Sequence, residues 1–323
     1  MKKKVAFFNN DAKINLPKVF GDKGVAKIHE LCDVYDEVVS NDNFAEHIDK
    51  IQDVEVIFST WGMPVFAQEE ADRLPNLKLI LYAAGATRDF RFPFVNNGVT
   101  VCSATAANAI PVAEYCVSQI VLAATGFFKN IIDCRDSRKM HSHTAHIGRG
   151  CYGARVALLG NGTISQLVHG MLEKDYCLDV VVIPSRPEQR TMSLEEAFAT
   201  SYVVSNHFPD RDDNVHVFNK ELFESIPENG TFINTGRGRQ VNEDDLIEVC
   251  KKRQDLIALL DVQHPEPPVE GSELYSLDNI YLTSHIAGSK NDETCRMADY
   301  MIEEFIRWEN GEELKYVVAP DQL

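Results

Sequence analysis

The sequence predicts an α/β protein of two doubly wound parallel-sheet domains, and three observations lead there. Short apolar runs alternate with helical stretches in two successive series along the chain, as strand–helix–strand units around parallel sheets require. The stretch from Tyr152 to Arg186, YGARVALLGNGTISQLVHGMLEKDYCLDVVVIPSR, reads as strand, glycine turn, helix and strand. At 323 residues the chain is long enough for two substantial cores.

In that stretch an apolar run, Arg155 to Leu159, ends at Gly160. Ile164, Leu167, Val168, Met171 and Leu172 then recur at helical spacing, and Val180 to Ile183 supplies the next strand. Gly160 permits a tight turn. Gly162 lets backbone approach a pyrophosphate, which would lie over Gly160, Gly162, Thr163 and Ile164, where a helix N-terminus favours anions. Ser165 stands where the fingerprint G-x-G-x-x-G has its third glycine, and it is small enough to keep helix and strand close.

Composition narrows the partners. Hydrophobic residues make up 44% and charged residues 25%, ordinary for a globular protein, but the net charge is −17. Nucleic acid and anionic membranes are therefore disfavoured as partners, and an anionic substrate needs a few local arginines. Met1–Lys4 is basic, yet Val5–Phe8 is too short for a signal-peptide core, and no apolar run approaches membrane-spanning length. The eight cysteines are scattered without a C-x-x-C, which predicts reduced thiols and a cytoplasmic protein. His141, His143 and His146 lack a completing carboxylate or cysteine, so no metal site is expected.

In order, Val5–Phe8, Val54–Ser59, Leu77–Ala83 and Val99–Cys102 read as strands, with helices at Gly24–Cys32 and Pro64–Leu74. Asn108–Ala124 reads as a buried helix with Pro111 near its first turn, followed by a helix over Phe127–Met140. In the second series Tyr202–Ser205, Thr231–Asn234, Ile257–Asp261 and Ile280–Thr283 are strands. Helices Asn219–Ser225 and Asn242–Lys252 lie between some of them, and Ser193 with Glu196 forms a capping box for another. Asn291–Glu309 is a long amphipathic helix ending at Gly311, placed to return to the first domain.

Three segments follow strands of the second series: INTGRGRQV (233–241), LLDVQHPEPP (259–268) and LTSHIAGS (282–289). Loops beyond the carboxyl ends of parallel strands face the ligand crevice, so all three can reach one site. They offer an arginine, whose planar fork grips a carboxylate, and a histidine, which exchanges a proton near neutrality. They also offer a glutamate able to fix the histidine's tautomer.

With these residues the sequence resembles the D-isomer-specific 2-hydroxyacid dehydrogenase family. The resemblance implies a flavodoxin-like substrate domain over 1–104, completed by 290–323, and a Rossmann NAD(P)-binding domain over 105–289. It places substrate binding on Arg237 of Asn234-Thr-Gly-Arg-Gly238, the partner carboxylate on Glu266 and the catalytic histidine on His285 of the HIAG segment. It gives Ala84, Gly85 and Ala86 the substrate carboxylate, through their backbone. Cofactor contacts fall on Val112, His207, Pro209, Thr235, Gly236, Asp261, His285 and Gly288. It implies a reversible hydride transfer between a small 2-hydroxy acid and its 2-keto acid, with domain closure excluding water and a homodimer formed through the cofactor domain. The rival reading is a silent dinucleotide sensor of the same fold, which need not keep arginine, glutamate and histidine together.

Two further expectations concern specificity. Trp61, Met63, Arg88 and Phe90 lie in or near first-domain loops that would shape the substrate's side-chain pocket. Asp179 precedes its strand, so the strand's other end presents Pro184, Ser185 and Arg186 in place of the carboxylate that NAD-preferring folds put there. Ser185 and Arg186 would accept a 2′-phosphate, so of NAD and NADP the reading favours NADP.

Overall fold

In a computed structural model, which describes residues 2–319, the chain divides into two compact units. One runs to Asn108 and resumes at Ser289; the other is Ala109–Gly288.

The first unit carries five parallel strands: β1 (Lys4–Phe8), β2 (Asp33–Val34), β3 (Val56–Ser59), β4 (Leu79–Tyr82) and β5 (Thr100–Ser103). Their order, β2-β1-β3-β4-β5, is that of flavodoxin-like sheets. Successive side chains enter opposite cores. Val5 and Phe7 pack with Phe58, Leu79 and Leu81 against Met297, Met301 and Phe305 of the helix Thr294–Asn310. Ala6 and Phe8 pack with Ile57, Ile80, Phe44, Phe66 and Phe94 on the other face. Both faces are covered, which is why these strands read as continuous apolar runs. The C-terminal helix thus belongs to the first unit, and it ends at Gly311 with φ 71°, where a side chain would be strained.

The second unit carries six: β6 (Tyr152–Leu159), β7 (Cys177–Ile183), β8 (Val203–Asn206), β9 (Thr231–Asn234), β10 (Ile257–Leu260) and β11 (Ile280–Leu282). All pairings are parallel, in the order β11-β10-β9-β8-β6-β7. The chain switches direction of growth at β6, which has β7 on one side and β8 on the other. That switch point defines the crevice beyond the carboxyl ends. Val156, Leu158, Ile233 and Leu259 face one core, Ala157, Leu159, Phe232 and Leu260 the other.

Several elements depart from the sequence reading. The helix expected from Asn108 starts at Thr105, so Pro111 lies in its interior rather than near its first turn, and the unit boundary falls inside it. This 20-residue helix also has the length and apolar composition to cross a membrane, contrary to expectation. Its Val112, Cys116, Ile120 and Ala123 pack instead against Val156, Leu158 and Ile233. The helix expected over Phe127–Met140 is two, Phe127–Asp133 and Ser137–Ser142, because the Asp136 carboxylate accepts the Arg138 N–H (3.0 Å) and starts the second. Pro64–Leu74 shrinks to Gln68–Ala71. Helices Ala12–Val19 and Phe92–Asn96 and the two-residue β2 were not foreseen; the first carries Pro17 and has no side-chain cap. Asp179 sits within β7, not before it, paired to Arg155 at 2.6 Å, and remains toward the strand's amino end.

All eight cysteines are free thiols. Burial pushes those of Cys32, Cys116 and Cys250 up to about 12, which leaves them inert.

Candidate active site

The carboxyl ends of β8, β9, β10 and β11 release the loops that carry the expected chemistry, all within the second unit. β8 and β9 each end in asparagine, and Asn206 and Asn234 stand opposite each other in register. Both are fully buried, as is Gln240. Asn206 Nδ2 donates to Asn234 Oδ1 (2.8 Å) and to Gln240 Oε1 (2.7 Å), while Asn206 Oδ1 accepts the Phe208 N–H (2.9 Å). Gln240 Nε2 donates to the carbonyls of Phe208 and Pro209, and Asn234 Oδ1 accepts the Gly236 N–H. This amide clip fastens the loop holding His207 and Pro209 to the loop holding Thr235, Gly236 and Arg237. A Cβ on Gly236 would lie 2.6 Å from Asn206 Nδ2.

Gly238 fixes the next loop along. A Cβ there would fall 2.0 Å from the Gln263 carbonyl oxygen, so the arginine loop lies directly on the loop after β10. Arg237 emerges from this seat half-exposed, with Nη1 donating to the Gly236 carbonyl at 2.8 Å. Its Nε lies 3.6 Å from Asp210, whose carboxylate is held more closely by Arg239 at 2.6 Å. The Arg237 fork is therefore only loosely engaged.

Glu266 follows on the loop after β10, where the Glu243 carboxylate accepts the His264 N–H at 2.7 Å. Burial pushes the Glu243 carboxyl above its usual range, and the His264 N–H works against that. Glu266 in turn accepts a hydrogen bond from His285 Nδ1 at 2.8 Å. A carboxylate only accepts, so the proton of this bond sits on Nδ1 and Nε2 is left for another partner. Both side chains are partly exposed.

His285 has φ 55°, a left-handed conformation uncommon outside glycine. Asp261 sustains it. Its carboxylate is 2% exposed; Oδ1 accepts the Thr283 hydroxyl (2.6 Å) and the Ile286 N–H (2.8 Å), and Oδ2 accepts the Ala287 N–H (3.0 Å). The Asp261 carbonyl accepts the His285 N–H, and the hydroxyls of Tyr115 and Thr283 lie 3.0 Å apart. Asp261, which the resemblance places beside a cofactor, anchors the histidine loop.

Of the residues expected to hold a dinucleotide, Gly160, Gly162, Thr163, Ile164 and His207 lie at the switch point. Gly160 has φ 119°, and a Cβ would meet the His207 carbonyl oxygen at 2.6 Å. Gly162 is the N-cap of Thr163–Asp175 and brings no side-chain cap, so the N–H groups of Thr163, Ile164 and Ser165 lack intrahelical acceptors. A Cβ on Gly162 would meet nothing within 4 Å. The cradle fits a pyrophosphate: it offers donors, an open approach and no carboxylate. Ser165 is fully buried and its hydroxyl has no partner. His207 is held neutral, with burial pushing its imidazole down to about 4, and Nε2 lies 3.0 Å from Ser205 Oγ. Thr235 Oγ1 is 3.2 Å from Cys116 Sγ. Val112 is buried in the core with Ala287, and Gly288 is half-buried.

In the first unit, Ala84, Gly85 and Ala86 follow β4, and the Gly85 carbonyl accepts the Thr105 hydroxyl at 3.2 Å. Trp61 follows β3; its carbonyl accepts amide hydrogens from Asn9 and Asn15, and Lys18 Nζ lies 5.5 Å over its ring. Arg88 is exposed, but Met63 and Phe90 are core residues rather than pocket walls, 6% and 3% exposed. Among the described residues no set of three metal-ligating side chains converges. His141's side chain lies outside them; His146 Nε2 is 3.1 Å from the Tyr202 hydroxyl.

The sequence reading assigns no site role to Asn206, Asn234, Gln240, Glu243 or Thr283. A signal existed for the first two, since two neighbouring strands ending in asparagine is unusual for apolar runs. Replacing Asp261 by Asn should expose the anchor's worth. It exchanges charge-assisted bonds of about 1.5–3 kcal/mol each for weaker or repulsive ones, so amide exchange at Ile286 and Ala287 should accelerate and kcat should fall. Unchanged protection at those two amides would contradict the assignment.

The model of a family described as D-isomer specific 2-hydroxyacid dehydrogenase, NAD binding domain, matches residues 119–287. YoaD of Bacillus subtilis is 31% identical over 159 residues, 48% of this chain and 46% of that protein, so the chain spans about half of that relative. A glyoxylate reductase of Thermofilum pendens is 23% identical over 317 residues, covering 93% of this chain and 92% of the enzyme. The apo structure of Rhodotorula graminis D-mandelate dehydrogenase superposes with a TM-score of 0.79 at 18% identity, over 99% of this chain and 98% of that one, which shows the shared fold. With the family model matching more than half of its length, the chain belongs to the D-isomer-specific 2-hydroxyacid dehydrogenase family.

Proposed function

We propose that this chain is a nicotinamide-dependent oxidoreductase interconverting a small 2-hydroxy acid of D configuration and its 2-keto acid. One observation carries the reading: the 2.8 Å bond between His285 and Glu266 leaves Nε2 free, on the same sheet edge as a loosely held arginine. In oxidation Arg237 grips the substrate carboxylate. His285 Nε2 accepts the hydroxyl proton, and the Glu266 carboxylate stabilises the imidazolium so formed. In reduction the imidazolium returns the proton to the carbonyl oxygen. A dinucleotide over Gly160–Ile164 supplies the nicotinamide that takes or gives the hydride.

The reading favours NADP over NAD. Ser185 and Arg186 stand just past the end of β7, while Asp179 is spent on Arg155 nearer the strand's start. Equilibrium titration should find NADPH bound more tightly than NADH; the reverse order would overturn this preference.

A homodimer through the second unit is part of the same proposal. Phe127, Ile131, Met140, Ile147 and Tyr152 expose apolar surface there, with Tyr152 89% exposed. Sedimentation should show a dimer that Tyr152→Glu with Ile147→Asp converts to monomer; a wild-type monomer would refute it.

The catalytic roles separate in kinetics. His285→Ala should lower kcat by about 10²–10⁴-fold while dinucleotide affinity stays near wild type. Arg237→Ala should raise KM for the keto acid and also lower kcat, because orientation is needed in the transition state. Glu266→Gln should be milder and act on kcat rather than KM, since an acceptor for Nδ1 remains while the charge that stabilises the imidazolium is gone. Retained kcat/KM in Arg237→Ala, or wild-type kcat in Glu266→Gln, would remove the corresponding role.

A further inference from the structure

The chain's net charge is −17, yet three arginines gather where β7 and β8 end: Arg186, Arg190 and Arg211. They divide the work. Arg190 stiffens the turn, with Nε donating to the Pro184 carbonyl (2.8 Å) and Nη2 to the Ser185 carbonyl (2.6 Å), and its guanidinium lies 5.7 Å over the ring of buried Phe208. Arg211 approaches the same turn from the loop after β8, with Nη1 donating to Ser185 Oγ at 3.2 Å. Its Nε and Nη2 are taken side-on by the Asp213 carboxylate at 2.8 and 3.0 Å, and the side chain is 13% exposed. Asp213 thus orients the guanidinium plane and leaves the Nη1 edge facing Ser185. Arg186 is exposed on the turn itself.

We propose that Arg211, oriented by Asp213, is the second guanidinium of a clasp for a phosphate on the adenosine ribose 2′-oxygen, completed by Ser185 and Arg186. The inference rests on the NADP reading above and adds a specificity-determining residue from a different loop. β7 and β8 are the two neighbours of β6, so their terminal loops border the crevice of the switch point from opposite sides. Ser185 Oγ accepts from Arg211, so its own proton is free to be donated to a phosphate oxygen. The clasp therefore presents donors only. A bare ribose hydroxyl would look for an acceptor here, and Asp213 already has both oxygens on Arg211.

Two nucleotide probes test this by calorimetry, without turnover: adenosine 2′,5′-bisphosphate and adenosine 5′-monophosphate. The wild-type protein should bind the bisphosphate more tightly. Arg211→Gln should weaken the bisphosphate by about 10–100-fold, the worth of hydrogen bonds to a charged group, and leave the monophosphate within about twofold, which also reports an intact fold. Arg211→Lys keeps charge but loses the side-on hold of Asp213; it should weaken the bisphosphate less, and it carries the test if the glutamine variant does not fold. Monophosphate bound as tightly as bisphosphate by wild type would end both the NADP reading and the clasp. Wild-type preference for the bisphosphate that survives both substitutions, or equal loss of both probes, would end the clasp alone.

Discussion

The position of His285 depends on one buried carboxylate. Asp261 lies just past β10, and its two oxygens gather a hydroxyl and two backbone N–H groups from the loop after β11. An unpaired carboxylate at 2% exposure would be costly, so the loop needs to close on it as much as it needs the loop. That mutual dependence sustains the left-handed backbone of His285, a conformation costing on the order of 1 kcal/mol or more for a side chain of this kind. It also faces Nδ1 toward Glu266. The histidine therefore meets its partner through a backbone shape rather than through packing of its own ring, which is partly exposed.

The same economy operates along the sheet edge. β8 and β9 end in register, and the buried amides of Asn206, Asn234 and Gln240 turn that register into a fixed relation between two loops. Gly238 then presses the arginine loop onto the loop after β10, where Glu243 holds the approach to Glu266. Buried polar groups that satisfy one another are stiff, since breaking one bond strands another in a low-dielectric interior. Arg237 and Glu266 are thus partly exposed side chains on rigid seats. Such an arrangement lets a site grip and release a small carboxylate without refolding its loops.

Much of this was legible in the chain. The alternation of apolar runs gave both parallel sheets, and the glycine turn at Gly160–Gly162 marked the switch point before any strand order was known. The juxtaposition of Arg237, Glu266 and His285 is legible because each follows a strand, and parallel topology brings such positions to one edge. What escaped had physical reasons. Pro111 was taken as an N-terminal residue because proline usually is one, and the helix tolerates it within its interior. The break at Asp136 was hidden because a side chain capping its neighbour competes with helix continuation only locally. Met63 and Phe90 were taken for pocket walls, but packing claimed them for the core. The amide clip and the Asp261 anchor depend on which side chain faces which across two strands, and a single sequence does not carry that pairing.

The proposed reaction requires direct hydride transfer coupled to a proton at His285. The most direct measurement incubates the protein with NADPH deuterated at both C4 positions and a panel of 2-keto acids and locates the label in the products. A D-2-hydroxy acid carrying one deuterium at C2 should be formed by wild type and lost in His285→Ala. Bound nucleotide with no deuterated hydroxy acid from any member of the panel would contradict it.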